Sequence, residues 1–265
     1  LTGLVLWLFF LLLHLFNWKE TKQELTKPPL LSGMATFPMA GMILSTYVFR
    51  VFPHLPLVAQ GLWWFSFLLD LALIAGFTIK FAYPGRRVHA TPSWTVLYVG
   101  IAVAALTYPL VGIIEIAYAT LSFGFLLTFY LYPLIYSDLK KIPLPLALLG
   151  QEGIYCAPFS LLLASLVRVG GTSLPNWVLI VMILASQSFF FFVLTRLPNI
   201  LKQGFQPAFS ALTFPTIITA TSLKMAQVIL KLAFLDYLVL AETVICLIIL
   251  LFVLGAYLIW LRKKV

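Results

Sequence analysis

Nine apolar runs divide this chain, at about residues 1–16, 33–52, 58–81, 93–110, 113–136, 144–167, 177–197, 207–230 and 237–261. Most are long enough to cross the hydrocarbon of a bilayer as a helix, which takes about 20 residues. Lipid offers no partner to a backbone N–H or C=O, so each crossing segment must satisfy its own. Runs this long, with no alternation of apolar and polar residues, do so as helices rather than as barrel strands. Composition agrees: 62% of the 265 residues are hydrophobic, 9% are charged, and the mean hydropathy is +1.06, where a soluble domain has roughly 45–50% apolar residues. The expected fold is an all-α polytopic membrane protein with residues 1–265 as a single transmembrane domain. The stretch 93–136 is too long for one helix, and Pro109 with Gly112 predicts a tight turn inside it.

Basic residues fall on alternate connections. Lys19, Lys22, Lys27, Lys80, Arg86, Arg87, Lys140, Lys141, Arg196, Lys202, Arg262, Lys263 and Lys264 make one set, 13 of the 17 Lys and Arg, while Arg50, Arg168 and Lys231 fall on the other side and Lys224 lies inside a run. By the positive-inside rule the rich set is cytoplasmic, and with it the C-terminus of a multi-pass protein of the cell membrane. Most of the +9 formal charge is therefore a topology signal and implies no nucleic-acid partner. The first run is short, starts at Leu and lacks the basic start and cleavage site of a signal peptide. It is read as a clipped helix. One further helix before it completes ten, as five hairpins.

A second regularity is a repeat. Thr36-Phe37-Pro38 recurs as Thr213-Phe214-Pro215, and Pro92 and Pro158 hold comparable places in two further runs. Pro38, Pro92, Pro158 and Pro215 are spaced by 54, 66 and 57 residues, room for two crossings and their loops. The unit is a helical hairpin, starting near residues 33, 90, 153 and 207. Four prolines at one phase of a repeat predict four helix kinks. Under the charge topology the proline-bearing helices all run the same way, an arrangement suited to a quasi-five-fold ring around a central pore. They carry the hydroxyls, Ser160, Thr213, Thr216 and Thr219 among them, which are costly against lipid and belong against other helices or a watery path. The returning helices are bulky, with four phenylalanines at 189–192, and suit an outer layer.

Several side chains invite a role. Phe214, between a hydroxyl and a proline, is either an apolar constriction of a narrow path or a packing aromatic. Periodicity does not single it out among 23 Phe, and Phe37, in the same tripeptide, is its rival. Lys224, inside a run, either draws an anion or extends its stem to the interface. Asp70, Glu115 and Glu242 lie within or near spans, as an ion-pair partner for Lys224 or as proton-coupling groups. Cys156 and Cys246 read as small core residues. His14, His54 and His89 are dispersed, and no metal-ligand, nucleophile-elbow or phosphate-loop pattern is present, so neither an enzyme nor a cofactor is expected.

Taken together, Lys27-Pro28-Pro29-Leu30 through Thr36-Phe37-Pro38-Met39-Ala40, then Pro92-Ser93-Trp94 with Val99-Gly100-Ile101, then Ala211-Leu212-Thr213-Phe214-Pro215 with Lys224 beyond, give a resemblance. The chain resembles the tellurite-resistance/dicarboxylate transporter family, which takes in bacterial tellurite-resistance proteins, yeast malate permeases and plant slow anion channels. The resemblance covers the whole chain and implies five helical hairpins around a pore, a trimer, and a gating phenylalanine in the ninth helix that matches Phe214. It also implies that Leu1 falls in the family's second helix. The function expected is passage of small anions across the bilayer through a gated central pore. The alternatives are a proton-coupled carrier of monocarboxylates or dicarboxylates such as malate, using Glu115 or Asp70, and a membrane structural protein that transports nothing.

Overall fold

The computed structural model of the chain describes residues 2–83, 85 and 87–263, so Arg86 and Lys264 of the basic set lie outside the described residues. All nine apolar runs are helical. In chain order the α-helices are α1 Thr2–Phe16, α2 Trp18–Glu24, α3 Pro28–Gly33, α4 Thr36–Val51, α5 Pro56–Phe77, α6 Ser93–Val99, α7 Val103–Thr107, α8 Ile114–Lys141, α9 Ala157–Gly170, α10 Asn176–Lys202, α11 Thr213–Leu230 and α12 Ala233–Arg262. Among the described residues seven continuous helical stretches are long and apolar enough to cross a membrane, and the protein is a polytopic α-helical one. Two of the nine runs fall outside those seven. The first is a short helix followed by α2 at a bend of 96°. The other, Pro207 to Leu230, is diluted by six hydroxyl or basic side chains from Thr213 to Lys224.

The chain separates into two compact units, Leu1–Tyr132 and Pro133–Val265, with the division inside α8 beside its internal Pro133. In the first unit α4 and α5 form a close antiparallel hairpin. Their approach is set at Gly41, where a Cβ would stand 2.1 Å from Ser66 Oγ. Long polar contacts tie the hairpin to its neighbours: Trp63 Nε1 donates to Thr107 Oγ1 at 2.8 Å, Gln60 Nε2 to the Leu110 carbonyl at 3.1 Å, and Thr78 shares a 2.8 Å hydrogen bond with Tyr98. The expected turn is present. A 3₁₀ turn at Tyr108–Leu110 and Gly112 at φ 74° reverse the chain before α8, a backbone angle that glycine takes without steric cost.

In the second unit α9 is the central helix, buried along most of its length and packed by α10 and α11, with α12 against α11. Two apolar clusters fill the interior. One joins Cys156, Phe190, Val193, Ala220 and Cys246; the other joins Ile200, Phe209, Leu212, Ile249 and Val253. Both cysteines are buried and free, in keeping with their reading as core residues.

Burial follows the repeat. The proline-bearing spans Pro28–Val51, Ser93–Leu110 and Leu146–Ser173 are 50%, 72% and 72% buried, whereas the returning spans Pro56–Ala82, Asn176–Lys202 and Ala233–Arg262 are 28%, 39% and 17% buried. Within each unit the bulky returning helices therefore present most of the outward surface. That assignment was legible in where the small and hydroxyl residues lie.

Candidate functional site

The repeated tripeptide marks a change of helix type rather than a bend in the middle of one. Before Pro215 the chain forms a 3₁₀ helix, Pro207–Leu212, and α11 begins at Thr213, which puts Pro215 in third position. Pro38 takes the same third position of α4, behind the short α3. Pro158 is second in α9, after a 3₁₀ helix at Leu146–Cys156, and Pro92 immediately precedes α6. In a first turn the missing proline N–H has no intrahelical acceptor to lose, and the fixed φ favours helix initiation. The expected kinks are thus joints at helix starts. All four prolines are buried.

The 3₁₀ stretch Leu146–Cys156 is 11 residues long, where runs beyond 3–4 residues are uncommon. It is pinned on two sides. Glu152 accepts from Arg196 Nε and Nη2 of α10, both at 2.9 Å. Gly150 and Gly153, three residues apart and so on one face of a 3₁₀ helix, receive the Pro207–Leu212 segment: a Cβ at Gly150 would stand 2.3 Å from the Ala208 carbonyl, and one at Gly153 2.6 Å from a Leu212 methyl and 2.9 Å from the Ala211 carbonyl. The start of α11, and with it Phe214, rests directly on this contact.

The two copies of the tripeptide differ in what surrounds the aromatic ring. Phe37 is stacked on Trp7, with centroids 4.4 Å apart and planes 7° from parallel, and it also meets Phe10; Trp7 Nε1 donates to the Phe37 carbonyl at 2.9 Å. Phe214 makes no ring contact among the described residues. It is half-buried and heads an uncovered stripe of α11 formed by Phe214, Ile217, Thr221, Lys224 and Val228, the 3- and 4-residue steps of one helix face. Phe214 and Lys224 are ten residues apart, nearly three helical turns. Exposure shows that they share a face.

The hydroxyls of α11 are occupied by backbone carbonyls three or four residues back, in α11 itself or in the 3₁₀ helix before it. Thr213 Oγ1 donates to Ser210 O at 2.7 Å, Thr216 Oγ1 to Leu212 O at 2.8 Å, Thr219 Oγ1 to Pro215 O at 2.9 Å and Thr221 Oγ1 to Ile217 O at 2.8 Å. Thr213 is half-buried, whereas Thr216 is fully buried and its carbonyl accepts from Cys246 Sγ of α12 at 3.1 Å. Deeper in the unit, Ser160 of α9 joins Ser186 of α10 at 2.8 Å and Thr219 of α11 at 2.9 Å. Sequence reading named Ser160 among the hydroxyls facing other helices, but not its place at the hub.

Lys224 has a different partner from those expected. Its ammonium donates to Gln227 Oε1 at 3.1 Å and stands 3.8 Å from Asp236 in the first turn of α12, both ends of the pair being about half exposed. Asp70, Glu115 and Glu242 do not pair with it. Glu115 is exposed in the first turn of α8. Asp70 is fully buried in α5, and neither of its oxygens has a hydrogen-bond partner. No cluster of three or more metal-ligating side chains is present among the described residues.

Compared with known proteins, the chain matches a family model, SLAC1, described as voltage-dependent anion channel, over residues 1–258. No curated protein matches it significantly.

Proposed function

Because this chain belongs to the SLAC1 family of voltage-dependent anion channels, whose members carry anions across membranes, we propose that it passes small anions along the uncovered face of α11 and that Phe214 is the gate. One observation carries the gate assignment: of two phenylalanines in identical tripeptides, Phe37 is held by a stack on Trp7, and Phe214 has no ring partner among the described residues. An aromatic plug must be able to turn away from its path. Thr213 lies beside it at the helix start, and Lys224, about three turns on, supplies positive potential that its half-exposed Asp236 partner offsets only in part. Thr216 supports the gate from the packed side of the helix. The protein works as a trimer in the cell membrane with its C-terminus in the cytoplasm, on the family resemblance and the distribution of Lys and Arg. The deciding experiment is current through bilayers or liposomes containing the protein, with chloride, nitrate and malate compared. Absence of anion current in every condition rejects the reading.

A second reading, a proton-coupled carrier of small carboxylates, has one observation in its favour, the buried and unpartnered carboxyl of Asp70. Uptake driven by an imposed pH gradient and abolished in Asp70→Asn would establish it. Glu115, exposed at the end of its helix, is the weaker of the two coupling candidates.

A further inference from the structure

Two faces of the 3₁₀ stretch Leu146–Cys156 are engaged at once. Gly150 and Gly153 make one, on which Pro207–Leu212 is seated. Glu152 and Tyr155, likewise three residues apart, line up on another, about a third of a turn round. This second face meets α10. Arg196 Nε and Nη2 donate to the two carboxylate oxygens of Glu152, both at 2.9 Å, and one turn back along α10 Phe192 meets Tyr155 edge to face with centroids 5.8 Å apart. The ladder continues into α9, where Phe159 stacks on Phe189 at 5.4 Å and Ser160 meets Ser186. Of these four rungs the first is the charged one, and it lies at the level of the two glycines.

A guanidinium fork fixes the rotation of a carboxylate as well as its distance, which a single ammonium does not. The Glu152 side chain is 14% exposed and Arg196 reaches it from a position 42% exposed, so the carboxylate is held close to the backbone that carries it. Glu152 adjoins Gly153 in the chain, and the glycine face touches Ala208, Ala211 and Leu212. Leu212 is two residues before Phe214. Behind, the seated segment is closed in by Ile200, Ile249 and Val253 against Phe209 and Leu212, and the Tyr257 hydroxyl donates to the Pro207 carbonyl. Backed in this way, the segment takes its position from the glycine face in front of it.

We propose that Glu152 and Arg196 are positioning residues for the gate: their pair fixes the rotation of the 3₁₀ stretch and, through the glycine seat, the place of Phe214 at the head of α11. This rests on Phe214 as the gate and adds what holds the ring in line. The test is anion flux in liposomes holding the full chain, per folded protein, with a thermal melt on each variant. Arg196→Gln raises resting flux about threefold, the order of effect expected of a residue on a coupling path that touches no ligand. Arg196→Lys, which keeps the charge and loses the fork, raises it in the same direction and carries the comparison if Arg196→Gln does not fold. Lys202→Gln, an exposed basic residue on the same helix, keeps wild-type flux. The decisive readout is the combination with Phe214→Ala: once the ring is gone, changing Arg196 adds nothing to the flux. A merely structural pair would lower the melting temperature and leave flux per folded protein unchanged. That result in a protein whose flux does rise with Phe214→Ala overturns this proposal and leaves the gate standing, as does an Arg196 effect of equal size with and without the ring. Wild-type flux in Phe214→Ala rejects the gate, and the positioning role with it.

Discussion

Lys224 stands 3.8 Å from Asp236 across the connection where α11 hands the chain to α12. Between them Lys231 adopts a left-handed backbone, φ 52° and ψ 34°, and its N–H caps the helix on the Gln227 carbonyl, the residue whose side chain also receives Lys224. The pair is thus built into the hairpin turn and remains accessible. Pairs this exposed contribute about 0–1 kcal/mol to stability, so either side chain can be changed without losing the fold. Lys224→Met should lower anion flux or shift the chloride to nitrate preference, and Asp236→Asn should move flux the opposite way by unmasking the lysine. Liposome flux at low and high salt measures both. Identical flux and selectivity in all three proteins would reduce Lys224 to an interface anchor.

The tripeptides offer an internal comparison. Phe214→Ala should raise anion conductance at matched expression, because it removes a ring that has no aromatic partner among the described residues. Phe37→Ala should instead lower yield and stability, by about 3–5 kcal/mol for a packed aromatic, since Trp7 and Phe10 lose their stack. Single-channel or flux measurements paired with thermal melts distinguish the two. A Phe214→Ala protein with wild-type current would reject the gate.

Ser160 is the common member of two buried hydroxyl contacts and also donates to the Cys156 carbonyl at 2.5 Å. Ser160→Ala should destabilise the second unit by about 1–2 kcal/mol, the upper part of the range for interhelical hydrogen bonds in membranes. Ser188→Ala is the control, because its hydroxyl bonds only its own helix and is exposed. Equal melting temperatures for the two variants would show that the hub adds nothing to helix association.

At Gly150 a side chain has nowhere to go. Its Cβ would meet backbone atoms of Ala208 and Phe209 at 2.3–2.9 Å, whereas at Gly33 nothing lies within 4 Å. Gly150→Ala should therefore displace the segment leading into α11, with altered resting current as well as lower stability, and Gly33→Ala should do neither. The checks are conductance and a melt on both proteins.

Much of this was legible before any coordinates. Long apolar runs named the helices, Pro109 and Gly112 named the turn, and the small and hydroxyl residues named the buried spans. The family followed from motifs that recur along the whole chain. What the chain alone concealed was set by contacts distant in sequence or by helix type. Phe37 and Phe214 have the same immediate neighbours in sequence, and the contacts of Phe37 with Trp7 and Phe10, far back in the first run, separate them. The partner of Lys224 was misjudged because carboxylates inside spans drew attention, while Asp236 lay just before the apolar run 237–261 and joins its helix as part of the first turn. The prolines read as kinks because nothing in the residues preceding Pro158 and Pro215 distinguishes a 3₁₀ from an α path.

The 3₁₀ stretch from Leu146 to Cys156 has a consequence in length. At about 2.0 Å per residue it extends some 22 Å, whereas the same 11 residues wound as an α-helix would reach only about 16.5 Å. A change of winding would draw its ends together by roughly a turn of α-helix and rotate Gly153 some 60° away from the line of Gly150, parting it from the backbone now seated there. The segment therefore stores stroke and registration together: the distance it spans and the contact it keeps are the same variable.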